Sequence, residues 1–271
     1  MVTVLLHENE VAGYRGLRSK KRLSRRYPNR MKQIKKIINR YRFILRWSLR
    51  ITLVCLLVDF GYILGTLPDW THFADGPIQK SAFMMDYEYQ RAMDHTLPPL
   101  RWQPVSLHDI SGNIAHAVIA AEDSHFYNHS GIDTEAFKEA WEYNLKKGRI
   151  IYGGSTISQQ MIKNFLLSPS RNPLRKWHEL WLTLSLEKNI SKDRILEVYL
   201  NIAEFGVGIY GVEAACRYYW DQPARNISMD HAIELAATLS APRKHNPATR
   251  TAYFLKQAAK IKRNMGYQTG L

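Results

Sequence analysis

The chain has 271 residues, enough for one substantial domain with an appendage or two small domains, and its 45% hydrophobic content allows a real core. The formal charge of +14 is unevenly placed: residues 1–50 hold 15 Lys and Arg against only Glu8 and Glu10, while the remaining 221 hold 23 against 22 acids. The bulk of the protein is therefore nearly neutral. This disfavours a nucleic-acid-binding body and leaves the partner of the basic arm to be decided by the segment next to it.

That segment is apolar. Residues 51–67 read ITLVCLLVDFGYILGTL, and extension back to Ile44 reaches the roughly 20 residues that cross a bilayer. Arg46 and Arg50 can snorkel to the headgroups, with Trp47 and Trp70 at opposite interfaces. Asp59 is the discordant residue, since a mid-span carboxylate costs roughly 2.5–3.5 kcal/mol unless protonated or paired. The positive run is too long for a cleaved export signal, and no small-x-small site closes the apolar stretch. The reading is thus a basic cytoplasmic arm over 1–43 and an uncleaved transmembrane anchor over 44–67, with everything after about residue 70 outside the inner membrane. Cys55 in the span and Cys216 far beyond it are expected to stay free.

Residues 68–110 contain PDW, DGP and TLPPLRWQP, which predict a linker of irregular or strand-like structure. The pattern then becomes helical over 111–271. Ile114, Ala117, Val118 and Ala121 fall on one helix face, and Ile195, Val198, Tyr199 and Ile202 on another, with Ser191 as N-cap. A third helix is expected after Ser228 and before Pro242, and a final basic one over 251–264. Strand signals are few; RIIYGG is short and equivocal. The fold class expected is mainly α.

Three strings can carry chemistry. In AVIAAEDSHFYNHSGID (residues 117–133), Glu122 borders the apolar face, where partial desolvation raises a carboxyl towards use as a general base. Taken alone it reads more readily as a surface Glu at a helix edge. His125 and His129 have a zinc-compatible i, i+4 spacing, but no third ligand stands with them in a motif. In GGSTISQQMIKNFL (153–166), two glycines permit close backbone approach, and Ser155, Thr156, Gln159 and Gln160 cluster at a helix start with Lys163 one turn on. A capped helix after a Gly turn explains the same string. In SRNPLRKWHELWLTLSLE (170–187), Arg171, Arg175 and Lys176 can surround a polyanion, while Arg175 and Glu179 also satisfy a simple i, i+4 surface pair.

The order of these strings carries a resemblance. EDSHFYNHSG resembles the E-D-x-x-F-x-x-H-x-G signature of family 51 glycosyltransferases, the peptidoglycan transglycosylases. GGSTISQQ resembles their G-x-S-T-x-x-Q-Q element and RKWHE their R-K-x-x-E element. SKDRILEVYLN and GIYGVEAACRYYW are similar to the fourth and fifth motifs, with Trp220 where the family has Phe. The five motifs span roughly residues 80–245.

The resemblance implies a lysozyme-like glycosyltransferase domain with a smaller membrane-facing lobe, which pattern alone does not assign to residues. It implies polymerisation of lipid II by transfer of the lipid-linked glycan strand, with inversion and release of undecaprenyl pyrophosphate. In that scheme Glu122 is the base. Lys163, Arg171, Arg175 and Lys176 are the phosphate contacts, and Ser155, Thr156, Gln159 and Gln160 line the donor cleft. Glu179 orients the cations, assists departure, or meets a divalent cation such as Mg²⁺ or Mn²⁺. No organic cofactor, no dedicated protein metal site and no nucleic acid are expected; the membrane is a partner, and other cell-wall synthesis or division proteins are compatible ones. No length remains for a transpeptidase domain, so the chain reads as monofunctional. The rival readings are a lysozyme-like lytic enzyme, which would cleave glycan and have no use for the Lys/Arg set, and a non-enzymatic membrane-tethered scaffold, to which Glu122 would be dispensable.

Overall fold

The computed structural model describes residues 3–65, 67–149, 153–167 and 173–266. RIIYGG in part, and Arg171 entirely, lie outside the described residues. The chain divides into two compact units, the first ending at Thr66 and the second beginning at Leu67.

The first unit is a single helix, α1 (Thr3–Gly65). Residues 32–65 are long and apolar enough to cross a membrane by length and composition. The arm preceding the apolar stretch is thus helical as well.

The second unit begins with α2 (Trp70–Asp75) and α3 (Ala82–Met93), where the sequence predicted a linker of irregular or strand-like structure. The prolines that suggested irregularity flank these helices rather than interrupting them. Ser81 caps α3 by accepting from the Met84 amide, and Met84 and Tyr87 are wholly buried. The segment therefore belongs to the core of this unit. Arg194 holds it from the far side, donating to the Phe73 carbonyl at 3.0 Å and to that of Gly76.

The remaining elements are β1 (Arg101–Trp102), α4 (Gly112–Glu122), α5 (Thr134–Lys147), α6 (Ile157–Leu166), α7 (Pro173–Asn189), α8 (Lys192–Ile202), β2 (Glu204–Gly206), β3 (Ile209–Tyr210), α9 (Val212–Trp220), α10 (Met229–Thr238) and α11 (Ala252–Asn264). The periodicity-based helices lie where expected, and Ser111, Ser191 and Ser228 each accept from a first-turn amide.

The small sheet was not legible in the sequence. β3 pairs parallel with β1 and antiparallel with β2. Its strands are two or three residues long, too short for an alternation to register.

α8 is the central element, with every residue from Val198 to Ile202 buried. Asn201, wholly buried, accepts from the Val105 amide and donates to the carbonyls of Val105 and Glu197, each at 2.8 Å. This arrangement ties the β1–α4 connection to α8. α6 packs on α8 and α7, while α10 packs on α4 and α11. The C-terminal end of α4 and the N-terminal end of α6 meet between these two groups.

Candidate active site

The end of α4 is built around Asp123, not Glu122. Asp123 is 7% exposed and accepts from the Ile157 amide at 3.0 Å, so it fastens the end of α4 to the start of α6. It also accepts from His129 Nε2 at 3.0 Å. The Gly131 amide donates to His129 Nδ1 at 3.1 Å, which requires a lone pair there and places the imidazole proton on Nε2, facing Asp123. His125 instead pairs with Asp133 at 2.9 Å. The two histidines thus diverge, and among the described residues no group of three His, Cys, Asp or Glu could hold a metal.

Phe126, wholly buried, anchors the loop from below, with the Lys192 ammonium 4.5 Å from its ring centroid. Gly131 has φ +92°, and a Cβ there would lie 2.9 Å from Thr183 Cγ2 and 3.0 Å from Glu187 Cγ on α7. Only glycine accepts both the dihedral and the contact. Gly131→Ala is expected to cost about 2–4 kcal/mol from backbone strain and overpacking combined, readable as a fall in Tm, with Gly148→Ala (φ +62°, open space) as the strain-only control.

With Asp123 committed to the scaffold, Glu122 is left at the edge of the cleft. Its Oε2 accepts from Gln160 Nε2 at 2.6 Å, and Gln160 Oε1 in turn accepts from the buried Tyr199 hydroxyl at 3.1 Å. Tyr199 and Gln160 together orient one carboxylate oxygen. Burial raises the Glu122 carboxyl above its ordinary range, and the neighbouring Asp123 adds to this; the Gln160 bond and the Lys163 charge oppose it. A carboxylate so held is a competent proton acceptor. Solvent still reaches part of its side chain. It faces a cleft of about 490 Å³, shared with Ala120, Gly153, Ser155, Gln160 and, from the other wall, Ala236 and Ser240.

The loop before α6 has a different job from the one its side chains suggested. Thr156 and Gln159 form a reciprocal capping box, and the Thr156 hydroxyl also donates to the Gly131 carbonyl at 2.7 Å. Both are buried, at 3% and 5% exposure, and fix the loop and helix, while Thr156 also lines a smaller pocket beside Glu122. Ser155 is exposed, and Gln160 points at Glu122. Gly154 lies against α5: a Cβ would be 3.1 Å from Phe137 Cδ2 and 3.2 Å from Phe137 Cα.

Beside Glu122 is a cationic cluster around one buried acid. Glu179, 2% exposed, accepts from Arg175 Nη1 at 3.1 Å and from the Lys176 ammonium. Lys176 also reaches Ser155 Oγ at 3.5 Å. Lys163 is half-buried, and desolvation lowers its ammonium below the usual range, aided by Arg175 and Lys176 and opposed by Glu179 and Glu122. Lys163 thereby links the Glu122 and Glu179 neighbourhoods electrostatically. Three cations against one buried carboxylate leave a net positive surface suited to a polyanion. The donor set does not suit a protein-held divalent cation: both oxygens of Glu179 are taken by cations, and among the described residues no group of three His, Cys, Asp or Glu stands there.

One wall was missed by sequence reasoning. Tyr253, Lys256, Gln257, Lys260 and Asn264 of α11 line the cleft that contains Glu122. The basic helix itself was legible, but its packing against both α10 and α4 is a tertiary fact.

Comparison with known proteins shows the family. A family model described as Transglycosylase matches residues 91–266. The chain is 40% identical over 222 residues to a biosynthetic peptidoglycan transglycosylase of Nitrosospira multiformis, covering 81% of this chain and 95% of the relative. It is 36% identical over 232 residues to one of Herminiimonas arsenicoxydans, covering 83% and 96%. A third, from Thiobacillus denitrificans, is 45% identical over 166 residues, covering 61% and 71%.

Proposed function

Because the chain belongs to the transglycosylase family and is a peptidoglycan glycosyltransferase of cell-wall biosynthesis, we propose that it polymerises lipid II with Glu122 as base and releases undecaprenyl pyrophosphate. The observation that carries this reading is the pairing of a carboxyl of raised basicity, at the edge of a cleft, with the adjacent Lys163–Arg175–Lys176 cluster.

In the proposed step the 4-hydroxyl of lipid II attacks C1 of the lipid-linked glycan. The new C–O bond forms as the C1–O bond to pyrophosphate breaks, inverting α to β. The hydroxyl proton passes to Glu122, and the electron pair departs with undecaprenyl pyrophosphate. Inversion puts base and leaving group on opposite faces of the sugar, a requirement shared with inverting glycosidases. Pyrophosphate leaves well once its charge is met, so cations on that side accomplish what protonation does in a hydrolase. Glu179 serves as the positioning residue that keeps Arg175 and Lys176 apart and aimed. Arg171 remains a candidate phosphate contact on the resemblance alone. No step is routed through a metal, since among the described residues the cluster has no acidic set to hold one.

Both substrates carry lipid tails, and α5 supplies a face for them. It has no buried residue, and Phe137, Trp141 and Leu145, at i, i+4 and i+8, are each more than half exposed, with the first two rings stacked at 6.4 Å. This stripe is the proposed membrane-facing lobe. Trp141→Glu is expected to remove about 1.5–3 kcal/mol of apolar burial, a tenfold or greater loss of apparent affinity. The loss should be confined to lipid II in bilayers and absent with a short-chain soluble analogue.

The anchor reading places α1 across the inner membrane with its basic end cytoplasmic and the catalytic unit outside. It is supported by one apolar helix and by charge asymmetry.

The deciding experiment incubates purified full-length protein with labelled lipid II, with and without Mg²⁺, and resolves products by size. Polymer supports the assignment. No polymer from folded protein, together with cleavage of preformed glycan, would instead support the lytic reading.

A further inference from the structure

The arm of α1 that precedes the proposed span is longer than a simple anchor requires, and its described part, residues 32–46, is two-faced. At about 100° per residue, Lys32, Lys35, Lys36, Arg40, Arg42 and Arg46 fall within a sector of about 160°. Ile34, Ile37, Ile38, Tyr41, Ile44 and Leu45 fall within the opposite sector of about 120°. Phe43 is the one apolar residue of this stretch on the basic side. The six apolar side chains are 47–69% exposed. Residues 47–65 of α1 alone come close to the roughly 20 residues a span needs, so the span can begin after Arg46 rather than at Ile44. Were α1 to continue straight, residues 32–46 would emerge from the bilayer with this apolar face in water.

We propose that residues 32–46 lie along an anionic lipid surface, apolar face in the acyl boundary and Lys/Arg face towards the headgroups, so that α1 is an interfacial helix joined to a span. Charge complementarity and direct continuity with the span both point to lipid. A nucleic acid would engage the charges but leave the isoleucines in water. The turn from surface to span falls at 46–49, where the Ser48 hydroxyl donates to the Leu45 carbonyl at 2.9 Å. That bond competes with the backbone ladder, a recognised cause of helix bending. The inference rests on the span reading, and the test separates the two.

Full-length protein would be reconstituted into bilayers of phosphatidylglycerol with phosphatidylcholine, or of phosphatidylcholine alone. Nitroxide depth would be read by accessibility to oxygen and to a water-soluble nickel chelate. A label on native Cys55 tests the span. Labels at Ile37→Cys, Tyr41→Cys, Lys36→Cys and Arg40→Cys, each in a Cys55→Ser background, test the arm; the remaining Cys216 is wholly buried.

Expected are bilayer depth at 55, acyl-boundary depth at 37 and 41, and headgroup or aqueous exposure at 36 and 40. The depth at 37 and 41 should be lost in phosphatidylcholine alone or on changing Lys32, Lys35 and Lys36 together to Gln. Equal nickel access at 37 and 36 in anionic bilayers, with 55 deep, would overturn the proposal and leave the span standing. Shielding of 37 and 41 from both reagents in every lipid would overturn it in favour of a protein partner or second copy. Aqueous exposure at 55 would overturn both readings.

Discussion

Glu122→Gln is expected to lower lipid II polymerisation by about 10²–10⁴-fold, the usual contribution of a positioned base, while leaving the fold intact. Gln preserves the size of the side chain and can still accept from Gln160 Nε2 through its carbonyl, so Tyr199 and Gln160 keep their places. The pH dependence gives a sharper check. Burial holds the Glu122 carboxyl above its ordinary value, and only the ionised form accepts a proton. The acid limb of kcat/KM should therefore lie above the range of an ordinary Glu, with activity lost as pH falls through it. Burial also holds the Lys163 ammonium below its ordinary value, so the alkaline limb should fall early, as that charge is lost. Lys163→Arg, always charged, should move the alkaline limb upward without moving the acid one. An acid limb unmoved from that of an ordinary Glu, or a Glu122→Gln enzyme of undiminished rate, would remove Glu122 as the base.

The same shift has a stability consequence of opposite sign to the catalytic one. A carboxyl whose folded pKa exceeds its unfolded pKa binds its proton more tightly when folded. Its favourable contribution is complete below the unfolded value and is lost as pH rises through the folded value. At neutral pH an ionised Glu122 therefore costs stability, and Glu122→Gln should melt no lower than wild type. Activity and stability move apart at this position, as expected where a strained ionisation serves chemistry.

Glu179→Ala is expected to be damaging for a different reason. It removes the buried carboxylate that Arg175 and Lys176 share, leaving Glu122 as the remaining acid acting on Lys163. Breaking a buried ion pair by removing one partner costs about 3–5 kcal/mol. Lys176 is 52% exposed and solvent-screened, so the lower part of that range applies. For a unit of this size that corresponds to roughly 6–12 °C in Tm. Inorganic pyrophosphate should recover more Tm in this variant than in wild type, because an anion can then take the vacated place among the cations. Glu179→Gln, which keeps a hydrogen-bond acceptor but not the charge, should fall between the two. Loss of stability without any recovery by pyrophosphate would mean that the cluster is structural and not a phosphate site.

Sequence alone determined much of the local structure and the family. α4, α8 and α10 were readable because an apolar stripe at helical spacing and a Ser at the helix start are local signals, and α11 was readable as a basic helix. The five motifs and their order were likewise written in the chain. The division of labour within those motifs was not. Glu122 and Asp123 are adjacent acids; helical position and the motif single out Glu122, but the string EDSHFYNHSG does not say what Asp123 holds. Only the packing of α6 and the His129 loop commits Asp123 to the Ile157 amide and leaves Glu122 at the cleft. Thr156 and Gln159 looked like ligand-binding groups, yet the reciprocal cap with each other and the Gly131 carbonyl occupies them.

The pieces that depended wholly on tertiary structure are those made by distant segments. α3 reads as part of a linker until Met84 and Tyr87 are seen in the core, and β1 acquires its identity only by pairing with β3, more than 100 residues away. α11 becomes a wall of the Glu122 cleft only by packing on α10 and α4. Local sequence encodes dihedral preference and which face of a helix is apolar, and these are nearest-neighbour properties. Which carboxylate is desolvated and which cation stands beside it depends on the free energy of contacts between segments far apart in the chain, and that is decided only when the segments pack.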